Sequence, residues 1–257
     1  MFFTDPSHQP FKLGSGSAGA LLIHGFPGTP AELRPLGEQL AAADYTAYGL
    51  LLPGFGAEIE TLITKTSDDW LRAAQKKWSQ IQQDHHTTTL IGYSMGGAIA
   101  TCLAAQQPPD HLVLLAPFWR LNTILRHLLP IVKYIKPRIT PFEKANFDDP
   151  ELRKQMHSVM GGDLDLDNPE IQQQLRKNIV IATATFDEVR RLGQAAYKAA
   201  ARLTCPTLII QGAQDDTVVP SLTRRFMQQI NGRVSYHEIN GTHAFPKQQT
   251  DFVEIIL

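Results

Sequence analysis

Residues 87–105 read TTTLIGYSMGGAIATCLAA. The first half is β-branched and apolar, the second is rich in alanine, and they meet at Gly92-Tyr93-Ser94-Met95-Gly96. β-Branched residues favour strands and alanine favours helices, so the stretch predicts a strand that turns sharply and passes straight into a helix. A serine at that junction occupies a strained turn that lifts its hydroxyl, and glycines at 92 and 96 let strand and helix approach without Cβ clashes. The five-residue pattern alone is weak, because chance produces it in about one chain in a dozen of this length. A glycine-rich turn carrying a solvated serine is the competing reading.

The surrounding sequence supplies a context for the turn. Short apolar runs recur at 20–25 (ALLIHG), 45–54 (YTAYGLLLPG), 87–94, 111–117 (HLVLLAP), 206–214 (PTLIIQGAQ) and 234–241 (VSYHEING). Most are continuous rather than alternating, which suits strands buried on both faces. Helix-like segments lie between them at 30–44, 67–84 and 221–230, with start signals at Pro30 and at Ser67, Asp68 and Asp69. The alternation predicts an α/β fold, a mostly parallel sheet covered by helices on both sides. Residues 118–203 break the rhythm with helical patterns and no comparable strand, so they read as a helical cap inserted into a core of 1–117 and 204–257.

A serine hydroxyl is a poor nucleophile until a base takes its proton, so the turn calls for a histidine. His243, in NGTHAF, directly follows the last strand, and Gly241 allows a sharp loop there. His85 and His86 fall in a polar turn and read as solvated, His237 falls within a strand run, and His8, His111, His127 and His157 have no helpful context. The base needs an orienting carboxylate, and the order serine, aspartate, histidine fits this fold. At the end of the run 206–214 stand Asp215 and Asp216. The Gly-x-x-Asp spacing favours Asp215, with Asp216 as the alternative. The apolar run LLIHGFPGTP (21–30) ends in a glycine-flanked turn, so the backbone amides of Phe26 and Met95 are the candidate donors to an oxyanion. His24 reads as a structural hydrogen-bonding partner, with a second base as the alternative.

Together HGFPGTP, LLPGFG, GYSMGG, GAQDDTVVP and GTH resemble the α/β-hydrolase superfamily, in particular its carboxylesterase and monoacylglycerol-lipase branch, over nearly the whole chain. The resemblance implies an ester hydrolase with Ser94, Asp215 and His243 as its triad, Phe26 and Met95 as oxyanion donors, and a cap after the strand ending at Ala116. It also implies that the first antiparallel strands are reduced to a segment near PFKL (10–13). Relatives often carry histidine where this chain has Phe55, which bears on local loop packing. Phe26, Phe118, Trp119, Leu125 and Leu129 are the candidate substrate contacts, suited to medium-chain acyl groups or monoglycerides. Thioester cleavage, perhydrolysis, carbon–carbon bond hydrolysis and ligand binding without turnover remain open, because fold alone does not choose among them.

Composition narrows the partners. The 257 residues carry 24 basic and 25 acidic side chains, so no global field favours nucleic acid, and a small neutral ester or lipid is the expected substrate. Within the cap, Leu121, Ile124, Leu125, Leu128, Leu129, Val132 and Ile135 recur at helical spacing beside Arg120, Arg126, Lys133, Lys136 and Arg138. That pattern reads as a lid over an acyl pocket, with weak contact to an anionic lipid surface as the sharper alternative. DLDLDN (163–168) lacks the glycine and glutamate of a calcium loop and reads as a polar turn. No zinc spacing or phosphate-cradling loop occurs, so no cofactor or metal is expected. Cys102 and Cys205 read as buried free thiols. With no membrane-length apolar run and no leader pattern at the first residues, the expectation is a cytoplasmic protein of unknown oligomeric state.

Overall fold

A computed structural model of the chain describes residues 3, 5–121, 129, 132, 134–150, 152–153, 156, 165–178 and 180–257. Its strands are β1 (Phe11–Leu13), β2 (Ala18–Ile23), β3 (Tyr45–Leu50), β4 (Thr87–Tyr93), β5 (His111–Leu115), β6 (Arg138–Ile139), β7 (Ile181–Ala182), β8 (Thr207–Gly212) and β9 (Val234–Ile239). Its helices are α1 (Arg34–Ala42), α2 (Ser67–Asp84), α3 (Met95–Ala104), α4 (Pro169–Asn178), α5 (Thr183–Ala200), α6 (Pro220–Met227), α7 (Phe245–Gln248) and α8 (Val253–Ile256). Seven strands form one sheet in the order β1-β3-β2-β4-β5-β8-β9. β1 runs antiparallel to β3, and the remaining pairings are parallel.

The continuous apolar runs follow from burial on both faces. Leu21 and Ile23 of β2, Leu90 of β4, and Leu112 and Leu114 of β5 point into a core with α2, α3, α5 and α6. Their neighbours Ala20, Leu22, Ile91, Val113 and Leu115 point into a second core with α1, α7 and α8. Alternate side chains of a strand face opposite sides, so a strand covered twice must be apolar at every position. α2 turns Trp70, Ala74, Trp78 and Ile81 inward at helical spacing. It starts one residue earlier in effect than its acidic cluster suggests, because Thr66 caps it in a reciprocal box with Asp69. α3 is buried on every side, wedged between the sheet and α5.

The stretch 118–203 holds two kinds of structure. Phe147, Met156, Leu166 and Leu175 form a small core of their own, and β6 pairs antiparallel with β7 through Arg138 and Ile139. Strands two residues long carry no alternation, which is why the sequence shows none. α5 lies against the main core, where its face of Val189, Leu192, Ala196, Ala199 and Ala200 packs. The alanines of that face let it lie close along α3. Most of the apolar stripe from Ile124 to Val132, including Leu125, lies outside the described residues, as do Asp163 and Leu164 of the polar turn. Within that turn, the Asn168 Oδ1 accepts the Glu170 N–H at 2.9 Å and so caps α4. No helix among the described residues is long and apolar enough to cross a membrane.

Candidate active site

Ser94 stands between β4 and α3 with φ 52° and ψ −115°, a left-handed conformation that costs a non-glycine residue about 1–3 kcal/mol. Its surroundings hold it there. The Ser94 N–H donates to Leu115 O at 2.9 Å, and the Ser94 carbonyl accepts from Gly97 N and Phe118 N at 2.9 and 3.0 Å. The flanking glycines are steric necessities: a Cβ at Gly92 would lie 2.3 Å from Gly96 O, and one at Gly96 would lie 2.1 Å from Ile23 O. The elbow therefore presses α3 against both β4 and β2.

The His243 Nε2 lies 3.0 Å from Ser94 Oγ, and its Nδ1 lies 2.7 Å from Asp215 Oδ2. With Asp215 as an acceptor, Nδ1 carries the hydrogen and Nε2 is free to accept the serine proton. Asp215 is 3% exposed and its carboxylate is saturated with donors. Thr217 N and Val218 N donate to Oδ1 at 2.9 and 2.8 Å, and Gln211 Nε2 donates to Oδ2 at 2.9 Å. Gln211 is itself oriented by Thr223, whose hydroxyl donates to its Oε1 at 2.6 Å. Asp216 is exposed, and its Oδ1 accepts from the hydroxyl of its neighbour Thr217 at 3.3 Å. Tyr93 closes the arrangement, its hydroxyl donating to the His243 carbonyl at 2.9 Å. Burial pushes the Tyr93 hydroxyl pKa well above its ordinary value, and the charges of Glu32 and Asp215 add to the effect, so it stays a donor.

Among the described residues, the amides of Phe26 and Met95 meet no backbone acceptor, unlike those of Gly97 and Ala98, which bond back to Ser94 O. His24 is fully buried, with Nδ1 donating to Gly25 O at 2.8 Å and Nε2 accepting from Leu52 N at 3.2 Å. Both ring nitrogens are thus spent on backbone, and burial holds the imidazole pKa below its ordinary value. It serves as a strut between the ends of β2 and β3. His85, expected in solvent, instead bonds Tyr48 Oη at 3.1 Å and Ser17 O at 3.0 Å. His8 is buried and bonds Thr29 Oγ1 at 2.8 Å.

The candidate substrate contacts divide. Phe26 is half-buried beside the serine turn, edge-on to Phe55 at 5.9 Å and to Phe186 at 5.6 Å. Phe55 also meets His24 edge-on at 5.1 Å, so its ring fills space behind the turn. Phe118 and Trp119 lie in the main core below the elbow. Trp119 stacks on Tyr197 at 4.4 Å and its Nε1 donates to Leu222 O at 2.9 Å. Leu129 is buried, and Leu125 lies outside the described residues. Phe186 escaped sequence reading because it lies in the first turn of α5, whose periodicity reads as an ordinary amphipathic helix. Cys102 and Cys205 are buried free thiols, with burial raising the Cys102 pKa to about 12.

A mostly parallel seven-stranded sheet with a strained serine at a strand-to-helix elbow, facing a histidine and an aspartate from later loops, defines an α/β-hydrolase. A family model described as serine aminopeptidase, S33, matches residues 17–243, and the chain belongs to that family. It is 27% identical over 237 residues to a thermostable monoacylglycerol lipase of Bacillus sp. (strain H-257), covering 89% of this chain and 86% of that one. The fold is shared with a solved structure from work on the metagenome-derived lipolytic enzymes LipS and LipT, with TM-score 0.75, 20% identity and coverage of 98% and 94%. It is also shared with the monoacylglycerol lipase of Paleococcus ferrophilus, with TM-score 0.69, 17% identity and coverage of 96% and 94%.

Proposed function

We propose that the chain is a carboxylic ester hydrolase acting on short- to medium-chain acyl esters or monoacylglycerols through an acyl-enzyme. Ser94 Oγ attacks the ester carbonyl while His243 Nε2 takes its proton, and Asp215 holds the imidazole in the tautomer this requires. The oxyanion is received by the Phe26 and Met95 amides, the latter at the positive end of α3. His243 returns the proton to the departing alcohol, then activates water to release the acid. The observation that carries the reading is the unbroken chain of hydrogen bonds from Ser94 Oγ through His243 to Asp215, at 3.0 and 2.7 Å.

The preference for an ester with an apolar acyl part is supported by the aromatic group of Phe26, Phe55 and Phe186 beside the serine turn. In this reading residues 118–203 cap the core of 1–117 and 204–257, with α5 as the part that docks the cap on α3 and Leu129 among its apolar contributions. Rates across p-nitrophenyl esters of two to sixteen carbons, with a monoacylglycerol and a thioester beside them, test the proposal. A maximum at short to medium esters, lost in Ser94→Ala, is expected. Turnover in the serine variant equal to that of the native protein ends the proposal, and a dominant thioester rate replaces its substrate class.

A further inference from the structure

The turn after β2 carries a buried carboxylate that the chemistry above leaves unused. Glu32 is 7% exposed; its Oε2 accepts the Gly25 N–H at 2.9 Å and its Oε1 lies 2.6 Å from Lys247 Nζ. Lys247 sits in α7, the short helix that follows His243, and its side chain is largely buried as well. One ion pair thus joins the turn that presents the Phe26 amide to the loop that presents His243. The turn is shaped around it: a Cβ at Gly28 would fall 2.0 Å from Glu32 Oε2, so glycine there makes room for the carboxylate. Gly25 is wedged between the two groups, its Cβ position 3.3 Å from both Glu32 Oε2 and Ser94 Cβ. Gly25 and Phe26 carry consecutive amides, so fixing the first constrains the direction of the second. A charge-assisted hydrogen bond in a buried site is a stiff constraint.

We propose that Glu32 is a positioning residue for the oxyanion donor, holding the Gly25–Phe26 backbone so that the Phe26 N–H faces Ser94, with Lys247 tying that turn to the histidine loop. The proposal rests on the ester-hydrolase reading of Ser94 and His243. Donors help most when they are aimed before charge develops, and losing one costs on the order of 10²–10³ in kcat. A group that aims a donor is felt in the transition state and little in substrate binding.

Glu32→Ala, Glu32→Gln and Lys247→Met test this, with kcat and KM for p-nitrophenyl butyrate, thermal melting, and the Ki of an alkyl trifluoromethyl ketone. Ser94 Oγ adds to that ketone's carbonyl and His243 takes the serine proton, leaving a hemiketal oxyanion in the donor site. Glu32→Ala is expected to lose on the order of 10²-fold in kcat, with KM within about twofold. The ketone's Ki should rise in proportion to the fall in kcat/KM, which a merely structural role would not produce. Glu32→Gln keeps an acceptor for the Gly25 N–H and is expected to recover about tenfold of that loss. Should Glu32→Ala not fold, Glu32→Gln and Lys247→Met carry the test, each expected to lower kcat about tenfold with the same proportionality. Native kcat in the folded variants, or a loss carried by KM with ketone affinity unchanged, overturns the proposal. Fluorophosphonate labelling of native Ser94 separates the two readings, because failure to label there ends the ester-hydrolase reading, whereas labelling with unaffected Glu32 variants ends only this one.

Discussion

At the scale of single residues, identity and position divide the work. Asp215 and Asp216 have the same side chain, yet only Asp215 is turned inward, because its carboxylate receives the Thr217 and Val218 amides at 2.9 and 2.8 Å as well as His243. Asp215→Asn preserves the shape but offers an amide where the Nδ1 hydrogen points, favouring the tautomer in which Nε2 cannot accept. A fall on the order of 10⁴ in kcat is expected, read from initial rates on p-nitrophenyl butyrate with melting behaviour near native. Asp216→Asn should stay within about twofold, since that residue has no part in positioning the histidine. The meeting of Ser94, His243 and Asp215 was legible because each follows an apolar run in chain order. Glu32 and Lys247 were not, because a charged residue in a helix-starting turn looks solvent-facing until the fold brings a distant partner to 2.6 Å.

Elements were legible in proportion to how many residues they repeat a pattern over. All six apolar runs became strands, and PFKL contains β1, whereas the two-residue β6 and β7 left no trace in the sequence. α5 was legible as a helix but not by its place, since its alanine face fits a cap or a core equally well until α3 is seen to lack any solvent side. Contact of α3 with the sheet is set by its first turn, where Gly96 approaches the β2 carbonyls. Gly96→Ala would drive a methyl group to 2.1 Å from Ile23 O and 2.6 Å from His24 O, both backbone atoms that cannot swing away. The helix must therefore shift outward, at a cost of about 1–3 kcal/mol, and carry the Met95 amide with it. Urea unfolding should show the lower midpoint. Activity should fall further than stability, because the Met95 amide, the proposed oxyanion donor, moves even in molecules that remain folded.

Across the whole molecule, the sheet's carboxyl edge is braced by a buried histidine whose surroundings favour its neutral form. His24 braces the ends of β2 and β3 through both ring nitrogens, and burial keeps its pKa below the ordinary 6.5, outweighing the opposing pull of Glu32. The sign of its effect on stability follows from proton counting. Above the ordinary histidine value both folded and unfolded chains hold the ring neutral, and the native packing is kept in full. As pH drops below that value the unfolded chain takes up a proton that the folded chain refuses, so stability falls, by up to about 1.4 kcal/mol per pH unit for one such group. Other histidines and carboxylates add their own slopes, and a variant isolates this one. His24→Gln retains a donor for Gly25 O and an acceptor for Leu52 N but has no proton to gain. Urea midpoints between pH 7.5 and 5.5 should therefore decline less steeply in His24→Gln than in the native chain. Parallel declines would show that His24 takes up its proton as readily in the folded protein as out of it, and that the brace does not depend on its charge.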